Sequence, residues 1–242
     1  MTNYDLSGQG KLVLLLHGWG DNLKTFSSLR EALADKYQIL AVDLPGFGGT
    51  QIPEQAWSLD DYADFLRHLL DKLELEQPYA VVGHSNGGAL AIRAVSLESL
   101  KPEKLVLMAA SGIRTPQKFK RAALTAVAKV GNIATLWMPE RYRRALRRSL
   151  YEAAGSDLLV VPEMEATFKK TVRQDVQKDA MRIETPTLLI YAANDEAVPL
   201  TYGRLYKTYI NDSHFEEIED AGHFVHRDQP EKVNKLIKDF LK

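Results

Sequence analysis

The sequence predicts an α/β protein: a mostly parallel sheet with helices on both faces and an inserted run of helices. Three observations carry this reading. Short, nearly continuous apolar runs alternate along the chain with segments of helical periodicity. The runs seldom alternate apolar with polar residues, the pattern expected of strands covered on both faces. Between Ser111 and Glu184 the alternation stops, and helical patterns alone continue.

The strands are expected at residues 11–16, 37–43, 79–83, 104–110, 186–192 and 214–218. Helical patterns fall between them at 25–36, 58–73, 87–99, 202–209 and 230–241. Ser58 with Asp61 makes a capping signal, and Pro230 stands where the first helical turn tolerates proline. Strand, helix, strand in repetition implies parallel pairing through right-handed crossovers. Residues 118–137, 139–154 and 162–178 read as three further helices, with Gly131 weakening the first and Gly155 ending the second. Such a stretch is too long for a simple connection. We therefore expect a core domain of residues 1–111 and 184–242 and a helical cap of 112–183, laid over the carboxyl edge where open α/β sheets bind ligands.

Composition excludes several classes. At 242 residues, 45% hydrophobic and 26% charged, the chain can bury a substantial core and does not resemble a disordered segment. No apolar run approaches the ~20 residues that span a bilayer. The polar start "MTNYDLSGQGKLVLLLHG" does not read as a signal peptide. With no cysteine, disulfides, thiol catalysis and thiolate metal sites are absent, and a cytoplasmic address is the expectation. Six histidines without a cluster give no metal site, and no cofactor is expected. Charge is uneven: residues 112–182 carry 15 basic against 7 acidic side chains, a balance of +8 inside a chain of net charge −1.

The chemistry centres on "YAVVGHSNGGALAIRA", in which Gly83-His84-Ser85-Asn86-Gly87 joins a strand pattern to a helix pattern. G-x-S-x-G at a strand-to-helix turn is the signature of a nucleophile elbow. A serine hydroxyl needs a base, and the base needs an orienting acid. Behind this elbow the expected order is serine, acid, histidine. "TPTLLIYAANDEAVP" supplies Asp195, and "FEEIEDAGHFVHRDQP" supplies His223, each just past a predicted strand. Glu196 and His226 are the rival acid and base. His17 and His84 read as loop-shaping residues, and His68 and His214 as structural. An oxyanion would be met by the backbone N–H of Asn86 and, from the "HGWG" loop after the first core strand, that of Trp19.

Together "HGWG", "AVDLPGFGGT", "VVGHSNGG", "YAANDEAVP" and "AGHFVHRDQPEKV" resemble the α/β-hydrolase superfamily over nearly the whole chain. Within it, the "HGWG" and "DLPGFG" pair is similar to carboxylesterases that cleave pimeloyl-acyl carrier protein methyl ester, to meta-cleavage-product C–C hydrolases and to lactone esterases. Serine at position 85 departs from the dehalogenase and epoxide hydrolase pattern, which has aspartate there. Only ten residues precede the first core strand, leaving little for the usual opening hairpin. The resemblance implies cleavage of a small-molecule ester through an acyl-enzyme on Ser85. C–C bond hydrolysis, lactone hydrolysis and a receptor that binds without turnover stand as alternatives.

The segment "PERYRRALRRSLYEAAG" sets Tyr142, Leu146, Leu150 and Ala153 on one helical stripe, with five arginines over the rest. It reads either as a solvated face or as a contact for an anionic substrate or an acidic partner such as acyl carrier protein, through Arg144, Arg147 and Arg148. The acidic flanks and the lack of interleaved aromatics argue against nucleic acid.

Overall fold

The structure is a computed structural model and describes residues 1–114 and 162–242. By compactness the chain divides into one unit of Met1–Ile113 with Glu163–Lys242 and a second of Arg114–Pro162. The larger unit holds a seven-stranded sheet: β1 (Tyr4–Ser7), β2 (Lys11–Leu16), β3 (Tyr37–Val42), β4 (Ala80–His84), β5 (Lys104–Met108), β6 (Thr187–Ala192) and β7 (Ser213–Ile218). Their spatial order is β1-β3-β2-β4-β5-β6-β7. All neighbours pair in parallel except β1, which runs antiparallel to β3 with Tyr4 opposite Val42.

The six expected strands are present to within two residues at each end. The seventh, β1, is a correction: the short N-terminal segment does form a strand, and it joins the edge beyond β3 instead of making a hairpin with β2. "YDLS" half-buries alternate residues, which suits an edge strand.

The helices are α1 (Ser27–Leu33), α2 (Leu59–Lys72), α3 (Asn86–Ser96), α4 (Glu165–Thr171), α5 (Gln177–Ala180), α6 (Leu200–Tyr209), α7 (Val225–Asp228) and α8 (Pro230–Phe240). The periodicity at 25–36 resolves into a 3₁₀ turn, Leu23–Phe26, followed by α1. The Ser58 signal becomes a complete capping box, with Ser58 N–H donating to Asp61 Oδ2 at 2.6 Å. Continuous apolar strands supply two buried faces. Val13 and Leu15 of β2, Ile39 of β3, Val82 of β4 and Ile190 of β6 belong to one cluster, closed by Phe26, Leu29, Leu33, Val233 and Ile237. On the other face Leu14, Leu16, Val81 and Leu107 are equally buried, and α3 packs against β2, β4 and β5 there.

The expected single helix over 162–178 is broken between α4 and α5. The returning segment is tied down there by polar groups. Arg93 donates to Asp60 at 2.8 and 3.0 Å and to Asp179 at 2.8 Å, and the Gln174 amide accepts from Leu59 N–H at 2.6 Å. Residues 118–137 and 139–154, which read as helices, lie outside the described residues.

Candidate active site

Parallel strands deliver the chain repeatedly to one edge, and the selected residues stand in the loops at that edge. β4 ends at His84 and α3 begins at Asn86, so Ser85 alone makes the turn. Its backbone sits at φ +53° and ψ −118°, a conformation L-residues rarely hold. The flanking glycines allow it. A Cβ at Gly83 would stand 2.6 Å from Gly87 O, and one at Gly87 would stand 2.2 Å from Leu16 O. Ser85 N–H donates to Met108 O at 3.0 Å, while Ser85 O accepts from Gly88, Ala89 and Ser111 N–H at 3.0 to 3.2 Å. Ala110 and Ser111 are held in turn, each carbonyl accepting from a buried tyrosine, Tyr191 at 3.1 Å and Tyr206 at 2.5 Å.

Asp195 follows β6 and His223 follows β7. Asp195 Oδ1 accepts from Ala197 and Val198 N–H, both at 2.8 Å, which points Oδ2 at the imidazole. His223 Nδ1 lies 2.8 Å from that Oδ2, and its Nε2 lies 3.0 Å from Ser85 Oγ. A carboxylate can only accept, so Nδ1 carries the proton and Nε2 is left to accept from the serine hydroxyl. The Asp195 side chain is fully buried and that of His223 is 18% exposed. Ser85, His223 and Asp195 thus form one hydrogen-bonded row.

The residues expected to supply N–H donors lie next to Ser85 in the chain and in the loop after β2. Asn86 opens α3, where the first N–H groups have no intrahelical acceptor. Trp19 lies in the loop after β2, and β2 is registered against β4 with Leu16 opposite Gly83. The loop comes close: a Cβ on Gly18 would stand 3.1 Å from Ser85 Cβ. Among the described residues, no protein acceptor holds the backbone N–H of Trp19 or of Asn86. The Trp19 indole packs edge-on against Phe47 and Phe168, at 4.8 and 4.9 Å.

His17 fixes this loop to its neighbour. Nδ1 donates to Gly18 O at 2.7 Å and Nε2 accepts from Leu44 N–H at 2.9 Å; burial holds its pKa below the usual histidine value. Asp43 of "DLPGFG" accepts from Leu23 N–H, Gly49 N–H and Asn3 Nδ2, all at 2.7 Å.

The rivals sit elsewhere. Glu196 is exposed. His226 is buried, shares a 2.8 Å hydrogen bond with Thr25 Oγ1, and is pushed down to a pKa of about 3, chiefly by burial. His68 bonds within its own helix and His214 pairs with Glu216 at the surface. Arg144, Arg147 and Arg148 lie outside the described residues. Among the described residues, no three His, Asp or Glu side chains are grouped to hold a metal ion, and no helix is long and apolar enough to cross a membrane.

Two ties lie beneath the row: His84, expected to shape a loop, holds the His223 backbone, and an Arg227 clamp was not anticipated from the sequence. His84 Nε2 donates to the backbone carbonyl of His223 at 2.9 Å. Arg227 donates to both oxygens of Asp21 at 2.8 Å and to Thr25 at 3.0 Å, clamping the His223 loop to the Trp19 loop. The loop-shaping role of His84 followed from its position inside the elbow; for Arg227, Asp21 and Thr25 the sequence offered no signal.

Residues 13–236 match the model of the alpha/beta hydrolase family. The chain belongs to that family. This alpha/beta hydrolase is 29% identical over 235 residues to the pimeloyl-[acyl-carrier protein] methyl ester esterase of Chromobacterium violaceum, covering 89% of this chain and 88% of that one. It is 24% identical over 258 residues to the 2-hydroxy-6-oxo-6-(2'-aminophenyl)hexa-2,4-dienoic acid hydrolase of Metapseudomonas resinovorans, covering 99% and 87%. Among solved structures, a thermophilic esterase from Thermogutta terrifontis superposes with a TM-score of 0.77 at 24% identity, over 99% of this chain and 92% of that one. This last likeness establishes the fold alone.

Proposed function

We propose that this alpha/beta hydrolase cleaves carboxylic esters through an acyl-enzyme on Ser85. The observation that carries the reading is the row Ser85–His223–Asp195, at 3.0 and 2.8 Å, set on a strained strand-to-helix turn. Ser85 Oγ attacks the ester carbonyl carbon as His223 Nε2 takes its proton. The negative oxygen of the tetrahedral intermediate is met by the backbone N–H groups of Asn86 and Trp19. Collapse breaks the bond to the alkoxy oxygen, which leaves as the alcohol with the proton from His223. Water then enters, gives a proton to His223 and attacks the acyl carbon; Ser85 recovers the proton as the acid departs. Asp195 keeps the imidazole in the Nδ1–H tautomer and stabilises the imidazolium that forms at each step.

The test is release of p-nitrophenol from p-nitrophenyl acetate by the wild-type protein and by Ser85→Ala. Turnover in the first and its loss in the second is the expected result. If both are inert while a small molecule still raises the melting temperature, the protein is a binder built on this fold. A panel of neutral esters, lactones and dienoic acids separates ester cleavage from the lactone and C–C alternatives.

The name of the Chromobacterium violaceum relative, a pimeloyl-[acyl-carrier protein] methyl ester esterase, supports the reading of an acyl carrier protein as a partner for the basic segment 112–182. We read residues 112–183 as the cap that carries this contact, through Arg144, Arg147 and Arg148. Reversing the three to glutamate is expected to raise KM for an anionic ester about tenfold and to leave a neutral ester unchanged, since each charge acts only on a charged substrate. Equal effects on both esters would remove the contact from the account.

A further inference from the structure

We propose that His84, the residue before the serine, is a positioning residue that holds the base and the oxyanion loop in register from beneath; this rests on the function proposed above. The ring is fully buried and lies against three parts of the site. Its Nε2 donates at 2.9 Å to the carbonyl of His223 itself, so the backbone of the base is pinned to the last residue of β4. Its Nδ1 faces the Trp19 loop, where a Cβ added to Gly18 would stand 3.1 Å away. Its ring lies tilted or edge-on beside His223 at 4.9 Å, Phe224 at 5.4 Å and His226 at 4.7 Å between ring centres.

The choice of imidazole is informative. Nδ1 of His84 is buried with no hydrogen-bond partner among the described residues. An unpaired buried nitrogen is unfavourable, so a side chain chosen only to fill the space would be apolar. Burial also holds the His84 pKa well below the usual histidine value, with His226 and His223 adding to it, so the ring stays neutral and keeps its one proton for the carbonyl. That proton must be on Nε2, because the acceptor is a carbonyl. The base is thereby fixed at two points: the side chain by Asp195 and the main chain by His84. Near-attack geometry tolerates little displacement, and an error of about 1 Å can cost ~100-fold in rate.

Two substitutions isolate the donor. Gln and Met are close in length and both remove the ring, but only Gln can present an N–H where Nε2 stood. His84→Gln is expected to retain kcat for p-nitrophenyl acetate within about fivefold of wild type. His84→Met is expected to fall at least about tenfold below His84→Gln, as one lost hydrogen bond to a poorly hydrated carbonyl implies, with KM within about twofold. A merely structural role would depress both variants alike. A long-range ¹H–¹⁵N correlation spectrum of the unmodified protein gives an independent check, with protonated Nε2 and bare Nδ1 expected for His84. An active wild type with equal Gln and Met variants, or His84 protonated on Nδ1, overturns this inference and leaves the ester reading standing. An inert wild type overturns both.

Discussion

Replacing Asp195 with asparagine puts the proposed chemistry under the most informative strain, because the structure dictates which way the new amide must turn. Asp195 Oδ1 accepts two backbone N–H groups, from Ala197 and Val198, at 2.8 Å each. An asparagine keeps both bonds only if its oxygen takes that place, which sets its NH₂ against His223 Nδ1. Two donors cannot face each other there, so the imidazole moves its proton to Nε2 and accepts from the amide instead. Nε2 then donates and can no longer take the proton of Ser85. The opposite amide orientation restores the reactive tautomer but leaves the buried N–H of Val198 and the part-buried N–H of Ala197 facing an NH₂, at roughly 1–3 kcal/mol each. A total of about 2–6 kcal/mol leaves the reactive arrangement at roughly one part in 30 to one part in 10⁴. With the loss of the charge that stabilises the imidazolium, we expect kcat to fall about 10³- to 10⁴-fold, in line with the equivalent change in a serine protease triad. Melting temperature should change little, because both backbone bonds survive. The assay is steady-state hydrolysis of p-nitrophenyl acetate, with circular dichroism as the check on folding. A folded Asp195→Asn protein retaining a tenth or more of wild-type kcat would refute the tautomer argument.

Two further outcomes follow from packing and charge. His226 has a folded-state pKa of about 3 against an ordinary 6.5, chiefly through burial, so the unfolded chain binds more protons between those values. Stability from this group is therefore complete above about pH 6.5 and is lost as pH falls toward 3, by at most about 5 kcal/mol; thermal melts across that range should show the decline, and His226→Phe should make it shallower, with His17 and His84, also held low by burial, supplying what remains. Gly87→Ala places a Cβ 2.2 Å from Leu16 O, a backbone atom that cannot move without shifting β2. We expect a loss of more than about 3 kcal/mol in urea unfolding or no folded protein at all, and a wild-type midpoint would contradict the elbow geometry.

Much of this was legible in the sequence, for identifiable reasons. Strands buried on both faces are nearly continuous in apolar residues, so β2 and β6 stood out; β1 did not, because a four-residue edge strand half-buries only alternate positions. The break between α4 and α5 escaped notice because it is made by partners distant in the chain, Arg93 and Leu59, which no local pattern announces. Ser85, Asp195 and His223 could be selected because each must follow a strand at the same sheet edge and in one chain order. Their supports could not. The donation from His84 to the His223 carbonyl joins residues 139 apart, and the Arg227–Asp21 clamp joins residues 206 apart.

In the proposed reaction Ser85 becomes covalently acylated with His223 as its base. Rapid quench of the protein with p-nitrophenyl acetate, followed by proteolysis and mass spectrometry, reads this directly. An acetyl group is expected on the peptide containing Ser85, appearing in step with a burst of p-nitrophenol and missing in His223→Ala. Steady turnover with no label on Ser85, or an acetyl group trapped on another residue, would contradict it.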